Sequence, residues 1–140
     1  TDIPFLPIQF FKTHNLNSFT SDPAIIFRSS KTTGQTASQH PVHDLDLYIK
    51  SFEKGFAHFY GNIEDYVLLA LLPSYLERED SSLVFMVDHL VKKTKRTDSG
   101  FYLNDWEARR TTLNALESKG QKTLLLRVSV ALLDGAENFQ

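Results

Sequence analysis

Seven consecutive apolar or aromatic residues, Tyr66-Val67-Leu68-Leu69-Ala70-Leu71-Leu72, constrain this chain more than any other stretch. A strand with one wet face alternates polar and apolar side chains. This run does not alternate, so both of its faces need cover, which is the signature of a parallel sheet packed between helices. It is far shorter than the ~20 apolar residues that cross a bilayer. Asp65 and Pro73 bound it on either side.

The flanking patterns supply the cover. Asp44 is placed to cap a helix reaching about Tyr60, with Leu45, Tyr48, Ile49, Phe52, Phe56 and Phe59 at steps of three and four. Gly61 ends it. Ser81 or Ser82 caps a second helix to about Lys93, with Leu83, Met86, Val87, Leu90 and Val91 inward. A short strand, Phe101-Tyr102-Leu103, follows the Asp98-Ser99-Gly100 break. Asn104 with Glu107 has the form of a capping box and opens a third helix to Lys119, which Gly120 stops. Thr123 to Val128 is the next strand, and the chain turns helical from Ala131. Ahead of all these, Ala24-Ile25-Ile26-Phe27-Arg28 reads as a first strand. Strands alternating with amphipathic helices predict an α/β fold with a mostly parallel sheet. Residues 24–140 are read as one α/β nucleotide-binding subdomain. Residues 1–23, with Pro4 and Pro7 among Phe5, Leu6, Ile8, Phe10 and Phe11, are read as an extended arm.

Ligands in such sheets gather beyond the C-terminal strand ends. Three connections leave those ends in this reading: Ser29–His40, Pro73–Asp80 and Arg127–Val130. The first is chemically the richest, since seven of its twelve residues carry a hydroxyl or are glycine. By default such a run is a polar surface loop. Placed after a strand, its hydroxyls and backbone N–H groups can converge on a phosphate. Neither G-x-x-x-x-G-K-[ST] nor G-x-G-x-x-G occurs.

Other constellations carry less. His40 and His43 stand three apart beside Pro41 with no third ligand near them, so no metal site is expected. Ser74 lacks the flanking glycines of a nucleophile elbow. Tyr75 serves equally as a wall for an acyl or adenine group or as a lid on the core. The carboxylates Asp44, Asp46, Glu64, Asp65, Glu77, Glu79 and Asp80 read as caps and solvated turns. With 17 acidic against 15 basic residues, a net charge of −2 and pI near 6.2, nothing suggests a nucleic-acid partner. The one basic run, Lys92-Lys93-Thr94-Lys95-Arg96, sits where a helix ends and complements its dipole. The chain has no cysteine, hence no disulfide, cysteine-zinc site or thiol nucleophile. No targeting or membrane-spanning segment is visible, and a cytoplasmic location is the default expectation.

Several blocks together resemble a known family: Phe5-Leu6-Pro7-Ile8-Gln9-Phe10-Phe11-Lys12; Ile26-Phe27-Arg28-Ser29-Ser30-Lys31-Thr32-Thr33-Gly34 with Ser38 and His40; Leu71-Leu72-Pro73-Ser74-Tyr75-Leu76-Glu77-Arg78; Ser99-Gly100-Phe101-Tyr102-Leu103; and Val130-Ala131-Leu132-Leu133-Asp134. In content and order they are similar to the LuxE-type acyl-protein synthetases of the adenylate-forming superfamily, and more faintly to phenylacetate–CoA ligases. The loop itself resembles the superfamily's Ser-Ser-Gly-Thr-Thr-Gly signature. The resemblance implies a fragment of the large N-terminal domain of an enzyme that uses MgATP to turn a carboxylic or fatty acid into an acyl-adenylate, then passes the acyl group to a protein thiol or to CoA. It further implies phosphate contacts from Ser29, Ser30, Lys31, Thr32, Thr33, Gly34 and Thr36, and an acyl or adenine pocket near Ser74, Tyr75 and Val130.

Two positions depart from the pattern. Lys31 and Arg127 stand where relatives carry glycine; Lys31 either adds a charge to the phosphates or brings a Cβ where glycine's backbone freedom is needed. The chain begins without methionine and ends at Gln140 within a helical pattern, so it is read as a piece of a longer polypeptide that is inactive alone. A non-catalytic acyl- or nucleotide-binding domain, or an interaction domain, is the alternative.

Overall fold

The computed structural model describes residues 5–29, 36–72, 79–102 and 106–127. Its centre is the apolar run. Strand β3 (Val67–Leu71) is buried at every position, flanked by β4 (Gly100–Phe101) and β5 (Thr123–Arg127) in the order β4-β3-β5, all parallel. The expectation of a mixed α/β chain with a helix-covered parallel sheet is met by these elements. Leu68, Ala70 and Leu72 point to one side, into a cluster with Val87 and Leu90 of α3 (Ser82–Thr94) and Phe52 and Phe56 of α2 (Leu45–Tyr60). Val67 and Leu69 point to the other, against Leu113 and Leu116 of α4 (Trp106–Ser118). Period-2 alternation is intact in space; it is invisible in the sequence because each face meets a helix.

The helix ends follow local chemistry. The Asp44 carboxylate accepts from Leu47 N–H at 2.8 Å, and the Ser81 hydroxyl from Val84 N–H at 3.4 Å. Gly120 ends α4 at φ +62°, with Gln121 N–H returning to Leu116 O and Gly120 N–H to Glu117 O, the paired bonds of a Schellman cap. Asn104 of the expected capping box lies outside the described residues.

The first strand departs from expectation. Strand β1 (Ile25–Arg28) does not join the parallel sheet; it pairs antiparallel with β2 (Gln39–Val42), a segment read as loop and helix approach. Ser29 N–H donates to Ser38 O, whereas Arg28 N–H points away from β2 to Asp80 O. Pro41 lies opposite Ile26, at a position sharing the outward parity of Arg28, so its missing N–H removes no ladder bond. A proline thus concealed a strand that tolerates it.

Smaller corrections concern helix faces and ends. Phe59, expected inward, is 78% exposed, and Leu83 yields its inward place to Val84. Helices α2 and α3 run side by side, with Tyr48 meeting Phe85, Phe52 meeting His89, and Glu53 meeting Lys93. The last turn of α2 therefore runs past the end of α3, where the Phe59 ring meets only the neighbouring His58 among the described residues. Strand β4 starts one residue earlier than read, at Gly100. The stretch read as an extended arm contains one helical turn, α1 (Phe10–Thr13), which Phe11 anchors by stacking on His40 at 4.8 Å. Among the described residues no helix is long and apolar enough to cross a membrane.

Candidate functional site

Connectivity fixes which end of the sheet is which. Helices α3 and α4 leave the C-terminal ends of β3 and β4 and return, so their first turns lie at that end. From β3 the chain steps to β4 on one side, then crosses to β5 on the other. The point where strand order reverses, between β3 and β5, is where open α/β sheets hold ligands. Its two strand ends are in register, Leu71 beside Arg127.

The β1–β2 hairpin is fastened to this same end. Arg28 N–H donates to Asp80 O at 2.8 Å, immediately before the Ser81 cap of α3. Phe27, 3% exposed, packs its ring against Tyr48 at 5.2 Å and Phe85 at 5.6 Å. Sequence reading put the hydroxyl-rich loop at this end because it took β1 for a parallel strand. The loop's described ends are there for a different reason: the hairpin is tied to the start of α3.

Those ends are clasped. Ser29 N–H donates to Ser38 O at 3.1 Å, Ser38 N–H returns to the Ser29 hydroxyl at 3.0 Å, and His40 Nε2 pairs with the Ser38 hydroxyl at 3.0 Å. Ala37 is buried and Thr36 exposed. Of the expected phosphate contacts, Ser29 and Thr36 are in view, and Ser29 spends its hydroxyl oxygen on the clasp. Ser30, Lys31, Thr32, Thr33 and Gly34 lie outside the described residues, as do Ser74, Tyr75 and Val130.

A cavity of about 340 Å³ opens beside the clasp, lined by Phe27, Arg28, Ser29, His40, Val42, Tyr48 and Ser82. Apolar side chains from both hairpin strands and from α2 form its walls, and Arg28, Ser29 and His40 also line it. Tyr48 donates its hydroxyl to Ser82 O at 3.3 Å; burial raises its pKa above the usual phenol value, and the neighbouring Ser82 side chain opposes that rise. Sequence reading assigned Tyr48 to the core, offered Ser82 only as an alternative helix cap and left Val42 unremarked. Only Arg28, a charge closing an apolar strand, offered a signal.

His40 and His43 take separate partners. His43 pairs Nε2 with Asn17 Oδ1 at 2.8 Å and packs on Phe19 at 4.2 Å, which ties the segment before β1 to the end of β2. Across the sheet, Arg109 in the early part of α4 is only 8% exposed, and its pKa is lowered first by burial and then by the charge of Arg127.

No protein-family model, no curated protein and no solved structure matches the chain.

Proposed function

We propose that this chain is the phosphate-handling part of an ATP-dependent acyl-activating ligase, which converts a carboxylic or fatty acid to its acyl-adenylate and then transfers the acyl group to a protein thiol or to CoA. One observation carries the reading: the clasped base of the Ser- and Thr-rich loop is tied, through Arg28 N–H and Asp80 O, to the end of the sheet where the first turns of α3 and α4 begin.

In the activating step a carboxylate oxygen attacks the α-phosphorus of ATP. A new P–O bond forms, the bond to the bridging oxygen of the β-phosphate breaks, and pyrophosphate leaves. Both reactants are anions, so the protein's task is to neutralise charge and align them, not to provide covalent help. Backbone N–H groups, hydroxyls and arginines suit that task. Mg²⁺ would come as the nucleotide's own counter-ion and would offset phosphate charge there.

The test is acid-dependent exchange of labelled pyrophosphate into ATP by the natural full-length protein, across a panel of fatty and aryl acids. Exchange that requires an acid and collapses in Thr33→Ala and Gly34→Val supports the reading. A folded protein that exchanges with no acid overturns it.

A further inference from the structure

A second cavity, of about 270 Å³, lies at the end of the parallel sheet opposite the clasp. It opens between residues 95–98, which follow α3, and the end of α4; Val67, the first residue of β3, and Leu116 of α4 form its floor. Both floor residues are buried and belong to one core cluster. Two side chains draw the walls together. From one wall Arg96 donates Nε and Nη2 to Glu64 O at 3.2 and 3.0 Å, and from the other Gln121 donates Nε2 to Asp65 O at 2.8 Å. Those carbonyls belong to consecutive residues, so a guanidinium and an amide are held at neighbouring peptide groups just ahead of Val67.

The bonds already made leave a defined set of groups for a ligand. Lys92, Lys93 and Lys95 have carboxylate partners in Asp88, Glu53 and Glu64. Arg96 is bonded to a carbonyl and to no carboxylate, and Lys119, which also lines the cavity, has no ion-pair partner among the described residues. Neither is needed to cap the two helices that end here. Val91 O receives the Thr94 hydroxyl, Lys92 O the Lys95 N–H, Leu116 O the N–H groups of Lys119 and Gln121, and Glu117 O that of Gly120. On the acceptor side, the Asp98 carboxylate and the Thr97 hydroxyl have no partner among the described residues. Gln121 donates its amide nitrogen to Asp65 O and Lys122 O, which leaves its amide oxygen to accept.

We infer that this cavity binds the phosphate monoester of a small polyol, with the phosphate toward Arg96 and Lys119 and the hydroxyls toward Asp98, Thr97 and Gln121. A phosphate monoester carries about −1.5 to −2 charge at neutral pH, which two cations match. A guanidinium fork and a lysine ammonium are its usual partners, while carboxylate and amide oxygens accept from hydroxyls. The volume falls just below the ~300–1,000 Å³ of ordinary small-molecule sites, so the polyol is short, about three or four carbons. The site shares no residue with the hydroxyl-rich loop or the cavity beside it, and the inference does not rest on the ligase reading.

The test is calorimetric titration of the natural full-length protein with glycerol phosphate, inorganic phosphate and glycerol. Glycerol phosphate is expected to bind about tenfold tighter than inorganic phosphate, the worth of an added hydrogen bond to a charged acceptor, and glycerol not measurably. Lys119→Gln should weaken both phosphates about tenfold. Asp98→Asn separates the two roles, because it removes a hydroxyl acceptor and a negative charge together: glycerol phosphate should weaken while inorganic phosphate binds as tightly or more so. Both side chains are exposed, and an unaltered melting temperature verifies each fold. Gly34→Val, in the loop, should bind glycerol phosphate normally. A folded protein that does not bind glycerol phosphate, equal affinity for ester and inorganic phosphate, normal binding by Lys119→Gln, or loss of binding in Gly34→Val would each overturn the inference. Pyrophosphate exchange bears on the ligase reading alone, so the two readings stand or fall separately.

Discussion

At the scale of single residues, electrostatics and backbone geometry each make a prediction. Glu53 on α2 receives Lys93 and His89 from α3, with the His89 contact at 2.8 Å. The hydrogen bond from Lys93 first, and that from His89 second, lower its pKa from the ordinary 4.5. A carboxyl whose pKa is depressed on folding adds stability above its unfolded value and loses it as pH falls through its folded value. Glu53→Gln is therefore expected to lower stability by about 0.5–1 kcal/mol at pH 7, the scale of a surface ion pair. That deficit should close as pH drops below 4.5, which urea unfolding at several pH values would reveal. Gly120 and Lys95 pose a matched test of backbone strain. Both end a helix with positive φ, +62° and +55°, but only one is glycine. An added Cβ at Gly120 would meet nothing within 4 Å, so Gly120→Ala is expected to cost about 1 kcal/mol from the backbone angle alone. Lys95→Gly should raise the melting temperature, because it relieves the same strain and gives up only an exposed contact with Glu64. The glycine was legible as a stop signal. Nothing in the sequence marked Lys95 as left-handed, since residues other than glycine take that angle only where the surrounding chain requires it.

At the scale of elements, the weakest join in the sheet is mended by side chains. Strand β4 is two residues long and begins opposite Leu69, which leaves the Leu68 N–H without a strand partner. The Ser99 hydroxyl accepts it at 3.0 Å. Ser99 is in turn held at 2.9 Å by Thr94, a residue 2% exposed at the end of α3 whose hydroxyl oxygen also accepts from Arg96 N–H. Helix end and strand edge thus share one partly buried polar cluster. Thr94→Val keeps the shape and removes the hydroxyl; it is predicted to cost about 1–3 kcal/mol, the penalty for stranding buried partners. Thr94→Ser should recover most of that loss. A denaturation midpoint for each variant decides the point, and equal stability of all three would reject the cluster's role. The sequence reading treated Thr94 as part of a basic, solvated run, because its neighbours Lys92, Lys93, Lys95 and Arg96 dominate the local composition. The run is amphipathic on a scale finer than composition registers: the hydroxyl faces in and the charges face out.

At the scale of the whole molecule, two packing systems of unequal strength meet at the start of α3. The central strand of the parallel sheet is sealed on both faces, with Leu68, Leu69 and Ala70 at 0% exposure. The hairpin has a single fully buried strand residue, Phe27, and one backbone tether to Asp80. Regions with few buried contacts open at lower free energy than the global core. Amide hydrogen exchange is therefore predicted to be slowest at Leu69–Leu71 and markedly faster at Ile25–Arg28. Phe27→Ala should cost about 3–5 kcal/mol if the hairpin unfolds with the sheet. It should instead remove protection from β1 and β2 alone if the two systems open independently, and the low burial of the hairpin favours the second outcome. The clasped ends of the hydroxyl-rich loop, Ser29 and Ser38, would then sit on the more easily opened of the two systems.

By itself the sequence determined the elements whose signals are local. The Asp44 cap, a serine cap at Ser81 or Ser82, the Gly120 stop and the three- and four-residue steps of α2 and α3 act within a few residues of chain, and so does the unbroken apolar strand that demands two covers. The tertiary structure alone decided whatever depends on a partner far away in sequence. It placed β1 against β2 and not in the parallel sheet, because a four-residue strand carries no mark of the neighbour it will pair with. It tied the loop's base to α3 through a main-chain hydrogen bond, which no side-chain pattern encodes. It also gathered Phe27, Arg28, His40, Val42, Tyr48 and Ser82 around one cavity, since concavity is a property of packed surfaces and not of any stretch of chain.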